Sequence, residues 1–235
     1  MDDQFELAVR AFYEVREQQR ARQAAQGRED AGSRGAVTGG AHLNALTTLV
    51  VDHLTKVLNF PRGSIYLGKK AALPGYFRPA KEWDIVVKDG DKVVAAVEFK
   101  SHVGSFGNNF NNRSEEAIGS AADTRRAIEE GLWGSSQPWL GYVLLLQDAP
   151  GSTKPAHRNF KTLFEVDSDF GGRPSYAERY RLLCRRLVND ELYHAACFIL
   201  APEEVERPIS QPDDALTFHK FIESLTDHVK RERGL

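Results

Sequence analysis

Two carboxylates and one amine near the middle of the sequence have a spacing that brings them together if two strands pair. Asp84 borders one short apolar stretch, and Glu98 and Lys100 end another. Side chains alternate along a strand, so Glu98 and Lys100 share one face. A hairpin centred on Gly90 places Asp84 opposite Ala96 and diagonally next to Glu98, within side-chain reach.

These residue types suit metal-dependent hydrolysis of a phosphodiester. Two neighbouring carboxylates repel each other unless a cation lies between them, and hard oxygen ligands select Mg²⁺. The backbone carbonyl of Phe99 can complete the protein ligands beside Asp84 and Glu98. Such an ion polarises a phosphate and lowers the pKa of a bound water. Lys100 can orient that water and offset charge in the transition state, so no Ser or Cys nucleophile is needed.

A purely structural interpretation of the same residues stays open. A Glu-x-Lys triplet is expected about once by chance in a chain of this size, and Glu98 to Lys100 is the only one here. The end of an apolar strand can carry an ordinary surface salt bridge, which contributes little to stability. The hairpin register is open as well, because a slip by one residue moves the acids to opposite faces.

The elements around the cluster predict an α/β fold. Strands at Trp83–Val87 and Val93–Ser101 form the hairpin, and a glycine-rich segment, 27–40, separates two earlier helices. The further predicted elements are helices at 3–26, 43–60, 114–130, 176–189 and 216–231 and strands at 140–146 and 192–200. Helices followed by strands alternating with helices indicate one domain over 1–235, with a mixed central sheet flanked by helices.

Composition narrows the class of protein. Of the 235 residues 41% are hydrophobic, which is typical of a soluble globular chain, and no apolar run approaches a membrane span. The acidic start lacks the pattern of a signal peptide. Two isolated cysteines, Cys184 and Cys197, exclude a disulfide framework, so we expect a cytoplasmic protein.

Charge and motifs exclude further classes. The net charge of −2 argues against a protein that coats nucleic acid indiscriminately. Basic residues concentrate in two stretches, Arg16 to Arg34 and Lys154 to Arg186, and each is either a DNA-contacting or a merely solvated face. No phosphate-binding glycine loop, GxSxG elbow or HExxH pair is present.

Several longer sequence segments resemble those of the XhoI family of type II restriction endonucleases, in the PD-(D/E)xK superfamily. They are Leu73–Pro79 (LPGYFRP), Lys81–Asp84 (KEWD), Val97–Ser101 (VEFKS) and Ser105–Arg113 (SFGNNFNNR), the last followed by Glu115, Glu116 and Ala117. The segments at 5–9 (FELAV) and 32–35 (GSRG) are also similar to the family's sequences. The likeness therefore spans most of the chain.

The resemblance implies a restriction-endonuclease-like α/β fold, Mg²⁺ dependence, a homodimer and a palindromic duplex DNA target. The family type recognises CTCGAG and cuts after the first base to leave 5′ overhangs, alongside a cognate DNA methyltransferase. The catalytic positions carry over as Asp84, Glu98 and Lys100, with Asp84, Glu98 and Phe99 as metal ligands. Trp83 stands where the motif usually has proline, which carries no chemistry.

A polar segment after the catalytic strand, His102 to Arg113, is predicted to be a loop that contacts DNA. Asn pairs well with adenine and Arg with guanine in the major groove. The candidate DNA contacts are Asn108, Asn109, Asn111, Asn112, Arg113 and, near the N-terminus, Arg34. Alternatively, Ser114 or Asn112 caps a following helix, and Glu115 and Glu116 favour its N-terminus. Either glutamate can instead serve as a secondary acid that holds a metal-bound water.

Two other functions fit the same residues. A repair or recombination nuclease can share this centre, and cutting of unmodified duplex at one sequence separates it from a restriction enzyme. A DNA-binding module with an inactive nuclease fold is the second, and the intact Asp84, Glu98 and Lys100 argue against it.

Overall fold

A five-stranded mixed sheet lies at the centre of the protein. The computed structural model describes residues 2–25, 43–156 and 162–234. The strands, in their order across the sheet, are β1 (Ile65–Leu67), β4 (Ile85–Asp89), β5 (Lys92–His102), β6 (Trp139–Gln147) and β7 (Ala195–Ala201). β1, β4 and β5 pair antiparallel, whereas β5, β6 and β7 pair parallel. A separate pair, β2 (Ala72–Leu73) and β3 (Lys81–Glu82), lies outside this sheet.

Helices cover both faces of the sheet. They are α1 (Asp2–Ala25), α2 (Asn44–Asp52), α3 (Phe106–Glu129), α4 (Pro150–Thr153), α5 (Tyr176–Asn189) and α6 (Phe218–Arg233). A π-helical turn, His53–Val57, continues α2. The predicted α/β class and mixed sheet are confirmed, and the predicted bounds of α5 agree with the structure. The glycine-rich segment and Arg34 lie outside the described residues. No described helix is long and apolar enough to cross a membrane.

Side chains alternate between the two faces of β5, so the strand contributes to two separate hydrophobic cores. Ala95, Val97 and Phe99 pack with α1, α2 and α6 on one face. Ala96 packs with α3 and α5 on the other. Because both faces are covered, the strand is nearly continuously apolar, and Glu98 is directed to the α3 and α5 side.

The β4–β5 hairpin has a different register from the predicted one. Its turn is Gly90–Asp91, with Gly90 at a φ of 57°, a left-handed conformation that glycine adopts without strain. A β-bulge follows between Val87 and Lys88, and beyond it Ile85 pairs with Val97. The turn and the bulge each advance the register by one residue.

The predicted pairing of Asp84 with Ala96 is therefore wrong. Continuing the observed register places Asp84 opposite Glu98, because Ala96 pairs with Val86. An even shift leaves every side chain on its predicted face, whereas an odd shift would have reversed them. The acids consequently end up directly opposite each other instead of diagonal.

Helix α3 begins earlier than the sequence predicts. Residues 102–113 are not one polar loop, since the helix starts at Phe106, directly after Ser105. Phe106 stacks on Tyr176 of α5, with ring centroids 6.1 Å apart, and Phe110 lies 4.9 Å from Tyr180. These two aromatic anchors, four residues apart on one helix face, outweigh the weak helix propensity of the intervening Gly and Asn residues.

The predicted helix cap is wrong for the same reason. Ser114 lies within α3, where its hydroxyl donates to the Phe110 carbonyl oxygen at 3.1 Å, and Asn112 is also internal. Glu115 and Glu116 are therefore far from the helix N-terminus and cannot favour it electrostatically.

Candidate active site

Asp84 is held at the end of β4 by the backbone of β5. Its N–H donates to the Val97 carbonyl oxygen at 3.1 Å. Its carboxylate Oδ2 accepts a hydrogen bond from the Phe99 N–H at 2.7 Å. Two contacts with alternate residues of β5 thus fix where this carboxylate lies.

Glu98 is buried beside it, with 5% of its surface exposed. Its Oε2 accepts a hydrogen bond from Lys81 Nζ at 2.7 Å, and its Oε1 pairs with Lys100 Nζ. The structure therefore brings Asp84, Glu98 and Lys100 together. It adds a second lysine, so that two carboxylates face two ammonium groups.

Lys81 is the residue at this site that the sequence analysis missed. It is buried on β3, and its Nζ lies 4.5 Å from the centroid of the Trp83 ring. The sequence does carry one signal, since Lys81 and Trp83 are two residues apart and share a face in extended chain. The contact of Lys81 with Glu98, however, depends on how β3 returns towards the sheet.

The two carboxyl groups have opposite pKa shifts. Burial and the nearby charge of Glu98 raise the pKa of Asp84 from 3.8 to about 6, against the Phe99 N–H and the two lysines. Burial also raises the pKa of Glu98, but Lys100 and Lys81 together outweigh burial and hold that pKa below its ordinary value. Glu98 is therefore ionised at neutral pH, and its negative charge disfavours ionisation of Asp84.

These residues fit a magnesium ion. Burial first and the charge of Glu98 second raise the pKa of Asp84, and a divalent cation would offset both. Val97 and Phe99 turn their backbone polar groups towards Asp84. The Phe99 carbonyl lies along that same edge of β5 because the strand repeats every two residues. In the described ranges no group of three or more His, Cys, Asp or Glu side chains is arranged to hold a metal. Mg²⁺ suits a site with so few protein ligands, since it retains several water ligands.

The predicted DNA contacts lie mainly on the first turns of α3. Asn111 and Asn112 are exposed, while Asn109 is half-buried and its Nδ2 donates to the Ser105 carbonyl at 3.4 Å. Asn108 is in the same helix, and its side chain is outside what the structure describes. Arg113 pairs with Glu116 at 2.7 Å. Glu115 is exposed, and the secondary-acid role of either glutamate stays a prediction.

Part of the second basic stretch is paired with acids. Arg181 and Arg185 both contact Asp213, and Arg186 contacts two exposed aspartates, Asp167 and Asp169. These arginines are therefore partly neutralised and do not form a bare cationic face.

The structure is an α/β fold with two carboxylates side by side at the central sheet, and comparison with known proteins gives its family. The family model described as "Restriction endonuclease XhoI" matches residues 22–210. This chain therefore belongs to the XhoI family of type II restriction endonucleases, which are site-specific deoxyribonucleases.

Three relatives support the assignment. The type II restriction enzyme BstVI of Geobacillus stearothermophilus is 41% identical over 216 residues, covering 88% of this chain and 95% of the relative. XhoI of Xanthomonas vasicola is 44% identical over 68% of this chain and 65% of its own length. AbrI of Azospirillum brasilense is 43% identical over 63% and 67%, respectively. No solved structure matches significantly.

Proposed function

We propose that this protein is a Mg²⁺-dependent restriction endonuclease whose catalytic residues are Asp84, Glu98 and Lys100. The observation that carries the proposal is the meeting of two carboxylates and an amine at the end of β5. The charge of Glu98 helps to raise the pKa of Asp84 to about 6. A buried carboxyl group with a raised pKa beside a second carboxylate is typical of a functional site.

Each residue has a distinct task. Asp84, Glu98 and the Phe99 carbonyl bind the ion, which when bound stabilises charge on the phosphate and acidifies a water. Lys81 holds one oxygen of Glu98 and keeps the carboxylate oriented. Lys100, whose side chain is about a quarter exposed, can exchange Glu98 for a water or phosphate oxygen.

The target and the assembly follow from the family resemblance. We propose cleavage of CTCGAG after the first C, leaving four-base 5′ overhangs, in the cytoplasm and alongside a protecting DNA methyltransferase. One centre hydrolyses one strand, so a homodimer with two-fold symmetry supplies the second and reads a palindrome. The exposed Asn111 and Asn112, with Asn108, Asn109, Arg113 and Arg34, remain the proposed base and backbone contacts.

Digestion of a sequenced plasmid tests the function. With Mg²⁺ we expect one set of fragments whose sequenced ends lie within CTCGAG, and no cleavage in EDTA. Ends at damaged or branched DNA would indicate a repair nuclease instead. Binding without cleavage under any divalent ion would indicate an inactive DNA-binding module.

A further inference from the structure

The segment between β2 and β3, residues 74–79 (PGYFRP), forms a loop that we call the aromatic loop. A single carboxylate anchors it. The N–H groups of Tyr76 and Phe77 donate to Asp123 Oδ1 at 2.8 and 2.7 Å, and Arg78 Nε donates to Oδ2 at 2.7 Å. Asp123 lies on α3 and is 3% exposed. The loop is thus tied at three consecutive residues to a buried group.

Further contacts restrict the loop to one conformation. Trp133 Nε1 donates to the Pro74 carbonyl oxygen at 2.8 Å, and the Arg126 guanidinium lies 5.1 Å from the Tyr76 ring. A Cβ at Gly75 would lie only 2.7 Å from both the Arg78 carbonyl oxygen and Asp123 Oδ2. Only glycine therefore fits this close approach.

The loop nevertheless presents its aromatic side chains to solvent. Phe77 is 73% exposed and Tyr76 45% exposed, and their rings meet edge to face at 4.9 Å. Ordering a loop costs conformational entropy, and an exposed ring recovers none of it through burial in the free protein. A rigid loop with an exposed aromatic tip is preorganised for a partner.

The position of the loop identifies the partner. The loop runs directly into β3, whose Lys81 contacts the catalytic Glu98. Arg78, three residues before Lys81, has a 43% exposed side chain. Lys69 and Lys70 are exposed just before β2, the strand that pairs with β3. An aromatic tip flanked by cations and adjoining a nuclease centre matches the way in which proteins contact nucleotides.

We propose that the aromatic loop contacts DNA and that Phe77 stacks on a base next to the scissile phosphate. The inference rests on the proposed function in one respect, namely that duplex DNA occupies the cleft at Asp84 and Glu98. Arg78 directly follows Phe77 in the loop, and its guanidinium is held by the Asp123 carboxylate of α3. Phe77 then acts as a wedge that distorts the duplex at the cut site.

Variants of Phe77 test this proposal. DNA binding is measured in Ca²⁺ buffer by fluorescence anisotropy, on a duplex carrying the mapped cleavage site. 2-Aminopurine at successive positions of that site reports unstacking. Phe77→Ala should bind about tenfold or more weakly and lose the 2-aminopurine signal. Phe77→Trp should retain both. The control is Phe164→Ala, which removes an 86% exposed ring outside the loop and should bind like the wild type.

Two outcomes would overturn the inference. In the first, Phe77→Ala binds as tightly as the wild type with an unchanged 2-aminopurine signal. In the second, Phe77→Ala converts a DNA-free dimer to monomers in sedimentation, which would make the loop a contact between copies of the chain. Failure of the wild type to cleave any duplex with Mg²⁺ would instead contradict the proposed function. Because Phe77 is largely exposed, its variants should melt like the wild type, so loss of binding cannot be ascribed to unfolding.

Discussion

Asp84 and Asp123 are two aspartates that accept backbone hydrogen bonds and yet have opposite pKa shifts. Asp123 accepts two N–H groups and the Arg78 guanidinium. These outweigh burial and hold the pKa of Asp123 below its ordinary value. Burial and the charge of Glu98 raise the pKa of Asp84 to about 6, and the single N–H that it accepts does not offset them. The donors around Asp123 offset its negative charge, whereas those around Asp84 do not.

We interpret the difference as that between a structural anchor, Asp123, and a proposed metal ligand, Asp84. A carboxylate whose partners all belong to the fold adds stability, while an uncompensated one costs stability in the free protein. Such a cost persists at functional sites because the ligand removes it.

The largest expected effect is loss of cleavage on neutralising either acid of the centre. Asp84→Asn or Glu98→Gln should reduce Mg²⁺-dependent cleavage below detection, because each removes a charged metal ligand. Specific binding to DNA in Ca²⁺ should survive. Asp89→Asn, at the exposed end of the same β4 strand, is the matched control and should cleave normally. Substantial turnover by Asp84→Asn would remove that residue from the mechanism.

A smaller loss is expected at Lys100. Lys100→Ala should fold normally and lose a factor on the order of 10²–10³ in cleavage rate, as for a lost preorganised electrostatic group. Lys92→Ala changes an exposed lysine at the other end of β5 and serves as the control. A Lys100→Ala enzyme within a few-fold of the wild type would support the ordinary salt-bridge interpretation.

The meeting of Asp84, Glu98 and Lys100 was predictable because strand alternation and one turn carry most of the information. Even the register error, one residue from the Gly90–Asp91 turn and one from the bulge beside Val87, left the faces unchanged. What was not predictable depends on distant parts of the chain. Lys81 reaches Glu98 only because β3 returns after a loop anchored on α3.

The start of α3 shows the same limit. Local propensity places residues 106–113 in a loop, and only contacts with Tyr176 and Tyr180, far along the chain, convert them to helix. The asparagines follow β5, but they lie in a helix and not in the predicted loop. A single sequence carries no local signal for a partner helix that distant.

An intermediate loss of activity is expected at Lys81. Because it orients Glu98 without being a ligand itself, Lys81→Met should lose about 10- to 100-fold in activity, as is typical of groups that position metal ligands. The Mg²⁺ concentration needed for half-maximal cleavage should rise, and Lys81→Arg should restore part of the loss. Calorimetric titration with Ca²⁺ measures the same weakening without turnover. A Lys81→Met protein with wild-type metal affinity and a lowered melting temperature would limit Lys81 to a structural role.

The smallest effects lie in stability, where the two aspartates should respond with opposite signs. Asp84 has a folded pKa of about 6, above its ordinary 3.8, so folding favours its protonated form. The penalty is absent below about pH 4, grows as the pH rises towards 6 and is complete above that. Asp84→Asn should therefore stabilise the metal-free protein at pH 7.5 by about 1–2 kcal/mol, allowing for partial exposure.

Asp123 should behave in the opposite way. Its lowered pKa contributes stability above the unfolded value, which is lost as the pH falls below about 4. Asp123→Asn should therefore destabilise the protein at pH 7.5 by about 1–3 kcal/mol, because its buried donors lose a charged acceptor. Urea unfolding in EDTA at pH 4 and 7.5 measures both variants, and Mg²⁺ should narrow the Asp84→Asn advantage by stabilising only the wild-type site. If both substitutions destabilised the protein equally at pH 7.5, Asp84 would be a structural anchor like Asp123.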